Sequence, residues 1–212
     1  MPRIARAQPV GHFGIRTHVA LLRGINVGGH NRVAMADLRR VTAALGHTDV
    51  ETYVQSGNVV FSSSGADAAE LAGAMEVALE EMLHVRVRVV VLGGDELARV
   101  VADNPFSQGP SGPWSGSNGE FDPKHLHAGF RQGPFSVKEF QAMDVARAAS
   151  KAKGSTDEVA VVGRTLYLRT PDGLGRSELA TQLARARGPL SSAASTTMRN
   201  WTTVSKLLEL LS

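Results

Sequence analysis

The sequence predicts an α+β fold made of two ferredoxin-like halves, each with the element order βαββαβ, and a C-terminal amphipathic helix. Short apolar runs typical of strands alternate with stretches of helical spacing. A Gly-, Ser- and Pro-rich stretch separates two such series. Each series contains a strand, a glycine turn and a strand, "YVQSGNVVF" and then "VAVVGRTLYL", which indicates an internal duplication. The alternative is one plait followed by an unrelated α/β half.

The first series predicts a domain over residues 18–103, preceded by a flexible leader at residues 1–17. Apolar runs predict its strands, of which the middle two form a hairpin around "QSGN": 18–23, 50–54, 59–62 and 86–92. Apolar residues three and four positions apart predict its helices: 35–45, 66–83 and 95–102.

The second series follows a Gly/Ser/Pro linker at residues 104–123 and predicts a domain over residues 124–212. Its predicted strands are 124–130, 158–162, 166–169 and 191–198. Its predicted helices are 137–149, 176–186 and a final amphipathic helix that starts at Trp201 with Asn200 as its N-cap.

Composition excludes several classes of function. The chain has no cysteine, so disulfides, thiolate nucleophiles and cysteine-ligated metals are excluded. A net charge of +3 is too small to indicate a nucleic-acid-binding protein. No apolar run reaches membrane-spanning length, and the first residues lack the apolar core of a secretory signal. We therefore predict a cytoplasmic protein without a membrane partner, a metal or a cofactor.

Two histidines are the best metal-ligand candidates, and they are weak ones. His125 and His127 have strand spacing and share a face of the predicted strand. A zinc site needs a third ligand and usually a fourth, and no further residue is indicated. We interpret the pair as part of a polar outer face.

The stretch "LLRGINVGGHN" and the turn "QSGN" predict a ligand site. In a split βαβ plait the loop after the first strand and the turn between the second and third lie at the same end of the sheet. Backbone amides from several glycines and polar side chains would meet there, beside the positive end of a helix, which suits an anion. The predicted binding residues are Arg23, Gly24, Asn26, Gly28, Gly29, Asn31, Gln55, Ser56, Gly57 and Asn58.

Both glycine stretches also fit a purely structural role. The spacing matches neither a Walker loop nor GxGxxG, and glycine and asparagine tolerate the positive φ angles of ordinary turns. A second candidate site is Arg199, Asn200 and Trp201, where arginine would pair with phosphate and tryptophan would stack on a base. The alternative, which we favour there, is a capped helix with a buried Trp201.

Two blocks together resemble a known bacterial family. The stretch "VALLRGINVGGHNRVAMADLRRV…LGHTDVETYVQSGNVVF" and the ending "TTMRNWTTVSKLLEL" are similar to the family of unknown function DUF1697. "LYLRTPDGLGRSEL" fits the same family's pattern, although Glu178 stands where the family usually has lysine. The resemblance runs from about residue 17 to the end. It implies two ferredoxin-like units and no particular activity.

Three functions are compatible with these observations. The first is binding of an anionic, phosphorylated small ligand at the glycine loop. The second is a cysteine-free, metal-free transferase or hydrolase that uses the same site. The third is weak nucleic-acid binding through scattered basic residues. Whether the protein is an enzyme, and its oligomeric state, stay open at this point.

Overall fold

The computed structural model describes residues 15–28, 31–65, 67–107, 122–185, 188–191 and 196–212. These residues form an α+β fold with two four-stranded antiparallel sheets and six α-helices. None of the described helices is both long and apolar enough to cross a membrane.

The first half forms one sheet with the strand order β2-β3-β1-β4. Its elements are β1 (His18–Leu22), α1 (Met35–Ala44), β2 (Thr48–Tyr53), β3 (Asn58–Ser62), α2 (Ala68–Leu83), β4 (Val89–Gly93) and α3 (Gly94–Ala102). β4 begins three residues later than predicted. Arg86 and Arg88 form ion pairs with Glu80 and Glu76 on α2, and these contacts hold the preceding segment against that helix instead of in the sheet.

The second half forms the other sheet with the order β6-β7-β5-β8. Its elements are β5 (Leu126–Phe130), α4 (Val137–Ala152), β6 (Glu158–Val162), β7 (Thr165–Arg169), α5 (Glu178–Leu183), β8 (Thr197–Asn200) and α6 (Trp201–Leu211). Numbered from its own first strand, this order is the same as in the first sheet.

Several predicted boundaries in the second half are wrong for identifiable reasons. β5 is preceded by a 3-10 turn, Pro123–His125, which Asp122 caps by accepting the Lys124 N–H. His125 therefore lies outside the strand, and His127 is buried instead of lying on a polar face. α5 begins later than predicted because Ser177 is its N-cap. β8 begins at Thr197, and residues 192–195 of the predicted strand lie outside the described residues.

Three apolar cores hold these layers together. One lies between the first sheet and α1 and α2, and another between the second sheet and α4 and α5. The largest is central: β1, β3, β4 and α3 from the first half pack there with β5, β7 and α6 from the second. The two halves therefore share a core instead of meeting only at a linker.

The predicted linker begins inside the folded structure. Asn104 and Phe106 are buried, and Phe106 belongs to the central core. Residues 104–106 are thus packed and Ser107 is exposed, whereas 108–121 lie outside the described residues, as do 1–14 of the predicted leader. Residues 15–17 are anchored, since the Thr17 N–H donates to the Phe61 carbonyl at 3.0 Å.

Candidate functional site

The glycine loop and the "QSGN" turn meet at one end of the first sheet. The Leu22 N–H donates to the Gly57 carbonyl at 2.8 Å. The Asn26 side chain donates from Nδ2 to the Gln55 carbonyl at 2.9 Å. Segments about thirty positions apart in sequence are therefore adjacent, as the βαββαβ order required.

Inside the loop, asparagine side chains fix the backbone. Asn26 also donates to the Val33 carbonyl and accepts the Val33 N–H, each at 2.9 Å, which closes the loop over seven residues. Asn31 donates to the Gly24 carbonyl at 3.3 Å. The φ angles of Gly24, Asn26, Gly28 and Asn31 are all positive, the region that glycine and asparagine tolerate best. Gly29 lies outside the described residues.

The turn depends on Gly57 and Asn58. Gly57 has φ +77°, and a Cβ there would lie 2.8 Å from the Leu22 Cβ, so a larger residue would force β1 and the turn apart. Asn58 is fully buried and donates from Nδ2 to the Tyr53 carbonyl and the Ser56 hydroxyl, both at 3.0 Å. The structure gives this side chain a different role from the expected one, because its donors are satisfied inside the protein.

Arg199 of β8 reaches from the second half into this junction. Its guanidinium donates to the Leu22 carbonyl at 2.7 Å, to the Ser56 carbonyl at 3.0 Å, to the Gly57 carbonyl at 3.2 Å and to Asn58 Oδ1. It also donates to Thr197 Oγ1 and the Met198 carbonyl. One side chain therefore joins the end of β1, the turn and β8.

The Arg199 charge has no carboxylate partner among the described residues. Every acceptor around it is a carbonyl, an amide oxygen or a hydroxyl. Burial lowers the pKa of Arg199 to about 10, so the group is still a cation at neutral pH. A buried positive charge without a described carboxylate partner thus contacts the end of β1 and the turn.

The other two residues of the second predicted site are structural. Asn200 caps α6 by accepting the Thr203 N–H at 2.8 Å. Trp201 is 6% exposed and packs in the central core beside Tyr167, with ring centres 6.1 Å apart. The favoured interpretation of a capped helix with a buried tryptophan therefore describes both residues.

Arg23 lies at the other side of the junction. It is half-buried and donates from Nη2 to the Ser191 carbonyl at 2.9 Å, another contact between the halves. Gln55 and Ser56 are exposed on the turn. Ser56 Oγ accepts from the Asn58 amide, and an amide N–H cannot remove a proton from a hydroxyl, so this partner does not activate Ser56 as a nucleophile.

A cleft of about 720 Å³ opens beside the loop and the turn, and we call it the loop cleft. It is lined by Asn26, Arg32, Val33, Ala34, Met35, Asp37 and Gln55. α1 begins at its floor, and Ala34, in the N-cap position, offers no side chain to the first N–H groups of the helix. Asp37 carries the only negative charge of the lining and is paired with Arg40 at 3.0 Å.

Arg32 was not among the predicted site residues. It is exposed, lines the loop cleft and forms no ion pair with any part of the chain that the structure describes. Its place in the sequence, between Asn31 and the predicted start of the helix, could have identified it. A basic residue there lies at the same end of the sheet as the glycine loop and the turn. The cleft can thus present a guanidinium and uncapped helix amides to one ligand.

Comparison with known proteins gives a family and a fold. A family model described as protein of unknown function (DUF1697) matches residues 15–167. Among solved structures, the chain is similar to conserved bacterial protein SP0830 from Streptococcus pneumoniae, with a TM-score of 0.63 and 20% identity over 93% of this chain and 99% of that one. No curated protein matches the chain.

Proposed function

Since the chain belongs to the DUF1697 family, whose function is unknown, we propose a function from the site itself: the protein binds an anionic, phosphorylated small ligand in the loop cleft. The observation that carries this proposal is the buried Arg199 charge, which no described carboxylate offsets. Charges act over longer distances inside a protein than in water, because the interior screens them less.

The field of Arg199 reaches the loop cleft through the turn. Arg199 donates to the Ser56 carbonyl, and the neighbouring residue, Gln55, lines the cleft. The positive end of α1 lies on the same side and is uncapped by any side chain. Two independent sources of positive potential therefore favour an anion at this end of the sheet.

Direct contacts would come from groups that are still available. Arg32 supplies a guanidinium suited to bidentate binding of phosphate, and Gln55 and Ser56 supply exposed polar atoms. The glycines of the loop and turn adopt positive φ angles without a side chain to obstruct a ligand: Gly24, Gly28 and Gly57. The asparagines fix the loop and turn through hydrogen bonds to backbone carbonyls: Asn26, Asn31 and Asn58. Arg23 and Gly29 are the remaining residues of the proposed binding site.

Calorimetry with pyrophosphate, followed by a panel of nucleotides, tests the proposal. We expect saturable binding of pyrophosphate that Arg32→Gln weakens about tenfold, the effect of losing one charge-assisted contact. Arg39→Gln is the matched control, because it removes the same charge from an exposed position on α1 outside the cleft. Absence of binding, or equal losses in both variants, would refute the site.

We also infer that each half is a ferredoxin-like plait and that the two arose by duplication. Support comes from the shared strand order and the antiparallel pairing of both sheets. Superposition of β1–β4 on β5–β8 would test this relationship. A cytoplasmic location is part of the same proposal, and fractionation of native cells would test it.

A further inference from the structure

A second cleft lies at the opposite end of the first sheet, away from the loop cleft. β1 begins there at His18, which pairs with Phe61 near the end of β3. The cleft encloses about 650 Å³ between the 45–48 connection, the three serines Ser62, Ser63 and Ser64, and the start of α2. We call it the serine cleft.

The serine cleft combines an apolar floor with hydroxyl groups. Leu45, Leu71 and Ala74 supply the apolar surface. Behind them the His47 ring packs on Phe61, with ring centres 4.6 Å apart. Thr48 and the three serines supply hydroxyls along one wall. This is the mixture of apolar surface and a few polar groups that small organic ligands use.

One carboxylate dominates the charge of the serine cleft. Glu70 lines it, and no described residue forms an ion pair or hydrogen bond with the Glu70 side chain. No lysine or arginine is present in the lining. Burial, and secondarily the neighbouring His18, lower the pKa of His47, so this imidazole is neutral at neutral pH.

Helix α1 adds to this negative character. Its C-terminal cap, Leu45, lines the cleft, and its last turn carries no basic residue to offset the negative end of the helix dipole. The positive end of α1 faces the loop cleft and its negative end faces the serine cleft, where Glu70 also lies in the first turn of α2 and offsets the positive end of that helix.

We propose that the serine cleft binds an organic ammonium ion with a short apolar body. The ammonium group would lie against the Glu70 carboxylate and the serine hydroxyls, and the apolar body would cover Leu45, Leu71 and Ala74. This site is separate from the loop cleft and does not depend on the function proposed there.

The probe for this site is 2-phenylethylammonium, compared with the neutral 2-phenylethanol and the anionic phenylacetate. Amide NMR spectra of the full chain would follow residues 45–48 and 62–64 during titration. We expect saturable shifts with the ammonium compound, and weaker or no shifts with the other two. Equal binding of the alcohol would show that the carboxylate plays no part and would overturn the proposal.

Substitutions on α2 separate charge from shape. Glu70→Gln should weaken 2-phenylethylammonium binding about fivefold, the effect of losing one solvent-accessible ion pair. Glu81→Gln is the matched control, because it removes the same charge from an exposed position on that helix outside the cleft. Ala74→Leu, at an exposed lining position, should block the ligand with little effect on folding. Failure of the wild type to bind, or no loss in Glu70→Gln, would refute the site.

Discussion

Arg164 and Arg199 are two of the arginines that join the halves of this molecule, and they do so in opposite ways. Arg164, in the β6–β7 turn, forms a two-point ion pair with Glu96 of α3, with both N–O distances at 2.6 Å. Both side chains are about a quarter exposed. Arg199, in β8, is buried, and all its described hydrogen-bond partners in the first half are neutral oxygens.

The two arginines differ in how their charges are paired and in how far they are exposed to water. The Arg164 charge is neutralised locally and partly screened by water, so the contact is worth little and projects little field. The Arg199 charge is buried and has only neutral oxygens as described partners, so no described carboxylate neutralises it. It fixes the backbone of β1 and the turn through their carbonyls, and in our proposal its field acts on the neighbouring loop cleft.

Arg199→Met gives the largest expected effect. It would leave the carbonyls of Leu22 and Ser56 without their main donor in a dry environment, at a cost of about 3 kcal/mol in the free energy of unfolding. Urea denaturation of the variant and the wild type measures this cost. A loss below ~1 kcal/mol would mean that water replaces the guanidinium and that the junction is not dry.

Tyr167→Phe tests a neutral contact between the same halves. The buried Tyr167 hydroxyl donates to the Val100 carbonyl at 2.9 Å, and its removal should cost about 1–2 kcal/mol. We expect this loss in the free energy of unfolding to be smaller than that of Arg199→Met and larger than that of Arg164→Gln. Denaturation near pH 8 provides the measurement.

The difference in stability between the wild type and Tyr167→Phe should also depend on pH. Burial raises the pKa of Tyr167 above its usual value, so the folded state keeps the proton that the unfolded state releases near pH 10. This contribution to stability is complete below pH 10 and is lost as the pH rises beyond it. The advantage of the wild type over Tyr167→Phe should therefore shrink by about 1 kcal/mol for each pH unit above 10. A constant difference would mean that the hydroxyl ionises freely in the folded protein.

Arg164→Gln should have the smallest effect. The ion pair with Glu96 is partly exposed, so its loss should change the free energy of unfolding by less than ~1 kcal/mol. The variant also loses the bond to the Gln132 carbonyl, which is included in that limit. A loss as large as that of Arg199→Met would remove the distinction between the two contacts.

The sequence predicted local features well. Apolar spacing and turn residues located all eight strands and six helices of the described chain, and the βαββαβ order placed the glycine loop beside "QSGN". It did not predict the roles of Asn58 and Arg199. Their hydrogen bond joins positions 141 residues apart and has no opposite charge to suggest it. The glycine, serine and proline around Phe106 predict a linker there, yet the Phe106 ring packs in the central core.

The most direct test of the central claim is pyrophosphate calorimetry on Asn58→Asp beside Asn58→Leu. Both variants lose the bonds that Asn58 donates, but only the aspartate places a compensating charge against Arg199. If the uncompensated Arg199 charge attracts the anion, Asn58→Asp should bind pyrophosphate about tenfold more weakly than Asn58→Leu, provided that both remain folded by circular dichroism. Equal affinities in the two variants would contradict the account, because the charge would then have no part in binding.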